Sequence, residues 1–170
     1  MENREYDEVS LNRYLTILED SLEKKSRALD ALSEMCAKQE EAICGDKLDV
    51  DTYNEVTELK GRIIENLNQL DDGFTALFDR VFPTVKSDPH KYADHVRRTQ
   101  DLIAEISEKT ILIEAAERRL QARLDRLAAS GRPGTSAPHV APGTAAGRYN
   151  ATMNGAGGVS SIFVDIKRRK

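Results

Sequence analysis

Two cysteines, three histidines and a run of acids are the side chains of this 170-residue chain whose types invite chemistry. His90 and His95 are five positions apart, which on a helix sets them on different faces. A zinc pair on one helix needs a spacing of about three or four, so a solvated polar role is expected for both, and no metal. Asp49-x-Asp51 opens like a calcium loop. Tyr53 then falls where an oxygen ligand belongs, Asn54 where the turn glycine belongs and Lys60 where a bidentate Glu belongs. These acids read instead as charges favoured at a helix N-terminus. Cys36 and Cys44 are eight residues apart, about 12 Å along a helix at ~1.5 Å per residue. A disulfide needs Cα atoms within about 7 Å, so the two do not pair inside one helix. Both lie on an apolar seam, where a thiol packs rather than attacks. The chain has no phosphate-binding G-x-x-x-x-G-K-[ST], no dinucleotide G-x-G-x-x-G after a strand and no G-x-S-x-G nucleophile turn. The sequence reads as non-catalytic and without a cofactor.

Composition points the same way. Charged residues make up 32%, the apolar set 39% and aromatics 5%, with no Trp, which suits narrow apolar seams between charged faces better than a thick core. Residues 130–170 carry six Lys or Arg and one Asp, a net of +5, which leaves −9 on residues 1–129 within the total of −4. A body of that sign is a poor host for nucleic acid. The start, MENREYDEVS, has no apolar core of a secretory signal, and no run approaches the ~18 apolar residues of a membrane span. A cytoplasmic protein without stable membrane insertion is expected.

Three long helices must position whatever the chain uses. From Leu11 the apolar steps alternate four and three, through Leu15, Leu18, Leu22, Lys25, Leu29, Leu32, Cys36 and Gln39 to Ile43. Ser10 is the expected N-cap and Gly45 the expected residue just past the end. A second seam follows the loop DKLDVD, capped by Asp51 or Thr52. It runs Tyr53, Val56, Leu59, Ile63, Leu67, Leu70, Phe74, Leu77 and Val81, with Gly61 and Gly73 as close-approach or bend points. The third helix opens at SDPH, with Ser87 or Asp88 as cap and Pro89 at the first helical position. Its seam is Tyr92, Val96, Thr99, Ile103, Ile106, Thr110, Ile113, Glu117, Leu120, Leu124 and Leu127. Short connections near residues 45–51 and 83–88 favour antiparallel neighbours. The predicted fold class is therefore all-α: an elongated antiparallel three-helix bundle or coiled coil over residues 10–129, on the order of 50 Å long. Three stripes this narrow are expected to leave part of one seam open for a partner helix.

Residues 1–9 read as an extension. In the stretch 130–158, 21 of 29 residues are Gly, Ala, Ser, Thr or Pro, too few bulky groups to offset the ~1–2 kcal/mol ordering cost per residue, so a flexible tether is expected. The segment 159–170 returns to bulky apolar residues and closes on four consecutive basic ones. Ile162, Phe163 and Ile166 make it a candidate docking peptide for a protein groove or an anionic surface.

A first helix ending AICGDKLD, then TELKGRIIENLNQLDDGFTALFDRV, then a third long amphipathic helix, resembles flagellar export chaperones of the FlgN type. Gly45–Asp46 matches the Gly-Asp after the family's first helix, and Thr57–Lys60 the "TELK" that opens its second; the similarity covers residues 11 to about 129. The resemblance implies a cytosolic chaperone for late export substrates, chiefly hook–filament junction proteins. Such a protein binds their terminal helices, prevents premature assembly, delivers them to the export apparatus and needs no nucleotide. It further implies that the third helix and its C-terminal extension face the client, here through Ile113, Leu120, Leu124 and Leu127, a stripe that Glu117 interrupts. Two other readings fit the same pattern. One is a non-catalytic coiled-coil scaffold or adaptor of a secretion or division machine, self-associating as a homodimer through the first-helix seam. The other is a nucleic-acid or membrane accessory acting through the basic tail.

Overall fold

The first seam is the axis of the molecule. In the computed structural model, which describes residues 7–130, all ten of its positions from Leu11 to Ile43 are buried. Nine lie on α1, Glu8–Glu41. Its cap is Asp7 rather than Ser10: the Asp7 carboxylate accepts from the Ser10 amide at 2.8 Å and from the Ser10 hydroxyl at 3.2 Å. A carboxylate at this position satisfies an orphan amide and meets the positive end of the helix dipole.

Where a plain loop was expected, the chain makes a minimal hairpin, β1 (Ile43–Cys44) and β2 (Lys47–Leu48). Ile43 pairs with Leu48 and Cys44 with Lys47, so Gly45 and Asp46 form the two-residue turn. Gly45 has φ +59°, the only positive φ among the described residues, so this glycine serves a turn and not a helix end. Positive φ at the first central residue alone is the pattern of a II′ turn, whose twist matches that of the flanking strands.

Helix α2 spans Val50–Ser87. Asp49, rather than Asp51 or Thr52, caps it, accepting from the Thr52 amide at 3.1 Å and its hydroxyl at 2.7 Å. The helix runs through Pro83 instead of ending there. Pro83 is exposed in the last turns, where its missing N–H frees only one carbonyl on the solvent side, while Val81 and Val85 keep packing inward. The turn therefore falls later, around Asp88–Tyr92, and α3 spans Ala93–Ala129 instead of opening at Pro89.

The second seam also departs from its expected phase. The inward residues are Tyr53, Val56, Lys60, Ile64, Leu67, Phe74, Phe78, Val81 and Val85, so Lys60 replaces Leu59, Ile64 replaces Ile63 and Phe78 replaces Leu77. Polar partners on the other helices hold the Lys60 ammonium inside, and that choice rotates the stripe by one residue. Gly61 and Gly73 are not close-approach points, since a Cβ added to either meets nothing within 4 Å.

Cross-helix bonds fix the topology. Lys25 with Asp71 and Gln39 with Thr57 run α1 against α2, while Glu23 with Arg98 and Glu40 with Arg119 keep α1 parallel to α3. The result is an all-α up–down–up three-helix bundle. Helices of 34, 38 and 37 residues are about 51–57 Å long at ~1.5 Å per residue. The backbone of α1 runs close to both neighbours, whereas α2 and α3 scarcely approach each other. Among the described residues no helix is long and apolar enough to cross a membrane.

Candidate partner-binding surfaces

The third-helix residues expected to face a client face inward instead. Ile113, Leu120, Leu124 and Leu127 are 1%, 2%, 5% and 6% exposed, members of one continuous core with the α1 leucines. With α1 lying between them, α2 and α3 each press their apolar stripe on the same central helix, and one broad α1 seam covers both. The stripe is the bundle's own closure, so it offers no open groove.

Glu117, the interruption in that stripe, takes part in a polar layer drawn from all three helices. Its carboxylate pairs with the Lys60 ammonium and accepts from the Cys36 thiol at 3.3 Å. Lys60 also donates to the Gln39 side-chain carbonyl at 2.9 Å. Gln39 in turn donates to the Thr57 hydroxyl at 2.8 Å, which donates to the Tyr53 carbonyl at 2.9 Å. Burial, the largest influence, pushes the Cys36 thiol up to about 11 and the Tyr53 phenol up to about 12, with the Glu117 charge adding to both. A thiol raised this far stays protonated and packs. Cys44 on the hairpin is exposed, and both cysteines are free.

A second polar set locks α3 onto α1. Lys109 Nζ reaches the Ser26 hydroxyl at 2.7 Å, Asp30 at 2.8 Å and Glu105 at 3.0 Å, while Ser26 donates to Glu105 at 2.6 Å. The Ser26 bond, followed by the Lys109 bond, holds the Glu105 carboxyl below its usual range; the Asp30 bond holds Lys109 above its own. His95 joins the same seam through Nδ1, 2.6 Å from Glu19, while His90 is exposed in the turn before α3. Among the described residues no three His, Cys, Asp or Glu side chains gather into a metal-sized group.

Besides the isolated Val9 and Leu59, bulky apolar surface is exposed on α1–α3 in a groove and in an adjacent pair. A groove of about 320 Å³ lies between α1 and α2, lined by Ile17, Leu18, Leu70, Phe74 and Leu77 with Asp20, Lys24 and Gln69 at its edges. Ile17 is 47% exposed, and Gly73 leaves the α2 wall without a side chain. From Ile17 to Lys24 the groove is about two helical turns long. On α3, Ile111 and Leu112 are 64% and 68% exposed, adjacent, and turned away from the core stripe. A third concavity of about 740 Å³ sits beside the hairpin, where Lys38, Glu41, Lys47 and Asp49 surround Ala42, Leu48 and Val56.

Apolar spacing puts Leu70 and Leu77 on the second seam and leaves Ile17, Ile111 and Leu112 without a position on any seam. The available signal was the surplus of apolar residues: each is a bulky side chain that a single four-and-three stripe cannot include once the core positions are filled. Ile162, Phe163 and Ile166 lie outside the described residues. Comparison with family models, with curated proteins and with solved structures finds no match.

Proposed function

We propose that this chain is a helix-binding escort protein of the flagellar export type, acting in the cytoplasm. It holds a terminal helix of a late export substrate, such as a hook–filament junction subunit, before delivery to the export apparatus. The observation that carries the reading is the apolar groove between α1 and α2, where Ile17, Leu70 and Leu77 are left partly uncovered beside the bare α2 wall at Gly73. An amphipathic client helix laid there exchanges water for apolar contact along two turns, and Asp20 and Lys24 at the rim offer both charge signs to its polar edge. The sequence resemblance to FlgN-type chaperones supplies the client class. In this reading the client surface is the α1–α2 groove, since Ile113, Leu120, Leu124 and Leu127 are occupied by the bundle itself.

Co-expression with a hook–filament junction subunit, followed by calorimetric titration of the purified pair, tests the proposal. A stable complex is expected, weakened at least about tenfold by Ile17→Asp with Leu70→Asp while far-UV helicity stays unchanged. Absence of a complex with any such subunit, or a complex indifferent to those two substitutions, contradicts it.

A further inference from the structure

The core-facing stripe of α3 leaves Ile111 and Leu112 without a role, although they are the two adjacent bulky apolar residues that this helix turns to solvent. Ile111 belongs to a second stripe with the same alternating steps: Ala104, Glu108, Ile111, Ala115, Arg118 and Ala122. Five of these six residues are exposed and Ala115 is half-buried. Surface alanines alone say only that a helix is stable. The charges are the informative part, because Glu108 and Arg118 flank the apolar centre with opposite sign.

From this pattern we infer that the outer face of α3 pairs with the same face of a second copy of the chain, the two helices antiparallel and centred on position 113. In that register Ile111 of one copy lies against Ala115 of the other, and Ala104 against Ala122. Glu108 lies opposite Arg118. Each contact occurs twice by the two-fold symmetry. A parallel arrangement would set Glu108 against Glu108 and Arg118 against Arg118, so charge selects the antiparallel one. Alanine at three of the six positions lets the backbones approach at the short end of the usual ~8–10 Å. Leu112 lies one residue from the symmetry axis, where it meets its own mate. Arg118 is held only by Glu114 on its own helix, at 3.7 Å, and is free to turn outward. The next layer sets Asp101 opposite Asp125, which confines the pairing to residues 104–122, about 27 Å of helix. An interface this small is at the weak end of specific association, so the dimer forms and parts with concentration. The proposed client groove is on α1 and α2, and the pairing does not depend on it.

Sedimentation velocity of the full chain over micromolar to millimolar concentration tests the inference. The expected result is a mass rising from one chain towards two. Glu108→Arg alone and Arg118→Glu alone, each placing like charges opposite one another, should weaken association about tenfold or more. The double swap should restore it to within about threefold, with helical content unchanged throughout. A chain that stays monomeric across that range overturns the inference, as does a dimer that ignores the single swaps or stays broken in the double swap. Ile17→Asp with Leu70→Asp should leave the self-association intact, so loss of client binding and loss of the dimer are separable.

Discussion

The two ends of the bundle are built from the same four-and-three spacing yet filled with opposite chemistry. At the end where α1 begins, Leu11 and Leu15 share the core with Phe74, Phe78, Val81, Val85 and Tyr92. Phe74, Phe78 and Phe82 stack in file along α2, with ring centroids 5.7 Å and then 4.9 Å apart. At the other end Cys36, Gln39, Thr57, Lys60 and Glu117 form a polar layer within a core that also buries Leu32, Ile113, Leu120 and Leu124. Apolar layers gain from burial in almost any register, because one methyl replaces another at little cost. A buried ammonium with one carboxylate and one amide in reach tolerates a single alignment, since sliding any helix by a turn leaves it unpaired. The apolar layers therefore supply stability without fixing register, and the polar layer fixes the alignment of three long helices that could otherwise slip.

That contrast can be broken at either end. Phe78→Ala is the more damaging of two truncations to Ala, expected to cost about 3–5 kcal/mol in urea unfolding because it removes a buried ring and leaves a cavity between its stacked neighbours. Glu117→Ala strands the Lys60 ammonium at 6% exposure and is expected to cost about 3 kcal/mol. Replacing the pair together, Lys60→Met with Glu117→Leu, should recover that loss or exceed it, while hydrogen exchange along α2 quickens if register has been loosened. A double variant as unstable as Glu117→Ala would show that the polar end is needed for stability after all.

Smaller effects sharpen the picture. Gly73→Ala should stabilise by up to about 1 kcal/mol, because the added methyl meets open space and helix propensity improves. If the same change weakens client binding, the α2 wall of the groove lies under the client. The pH dependence is milder. The cap bonds from Ser10 and Thr52 hold the Asp7 and Asp49 carboxyls below their ordinary values, and the Ser26 bond does the same for Glu105. A depressed native pKa gives stability that is complete above the usual carboxylate range near pH 4 and disappears as pH falls through the lower native value. Urea midpoints should fall on acidification below about pH 4, and Asp7→Asn with Asp49→Asn should flatten that slope.

The α1 seam was fully legible from spacing, including its polar members Lys25 and Gln39, because apolar neighbours on both sides held the phase. The α2 seam was not. Leu59, Ile63 and Leu77 are apolar and sit one residue from Lys60, Ile64 and Phe78, and spacing alone favours the leucine over the lysine. Only Glu117 and Gln39, distant in sequence, make Lys60 the inward residue. Pro83 misled for a related reason: a proline near a helix end reads as a stop, yet packing at Val81 and Val85 carries the helix past it. The groove needed both α1 and α2 in place to be seen, since Ile17 and Leu70 belong to different helices and neither stands out alone.

The third-helix stripe of Ile113, Leu120, Leu124 and Leu127 closes the bundle core instead of facing a client. Thermal unfolding of Leu120→Asp, followed by circular dichroism and set beside Ile111→Asp, tests it most directly. A carboxylate at a position 2% exposed should abolish the cooperative transition, while the same change at a position 64% exposed should leave it within a few degrees of the parent. A Leu120→Asp chain that melts like the parent would mean that α3 does not seal against α1, and that the stripe is open to a guest helix.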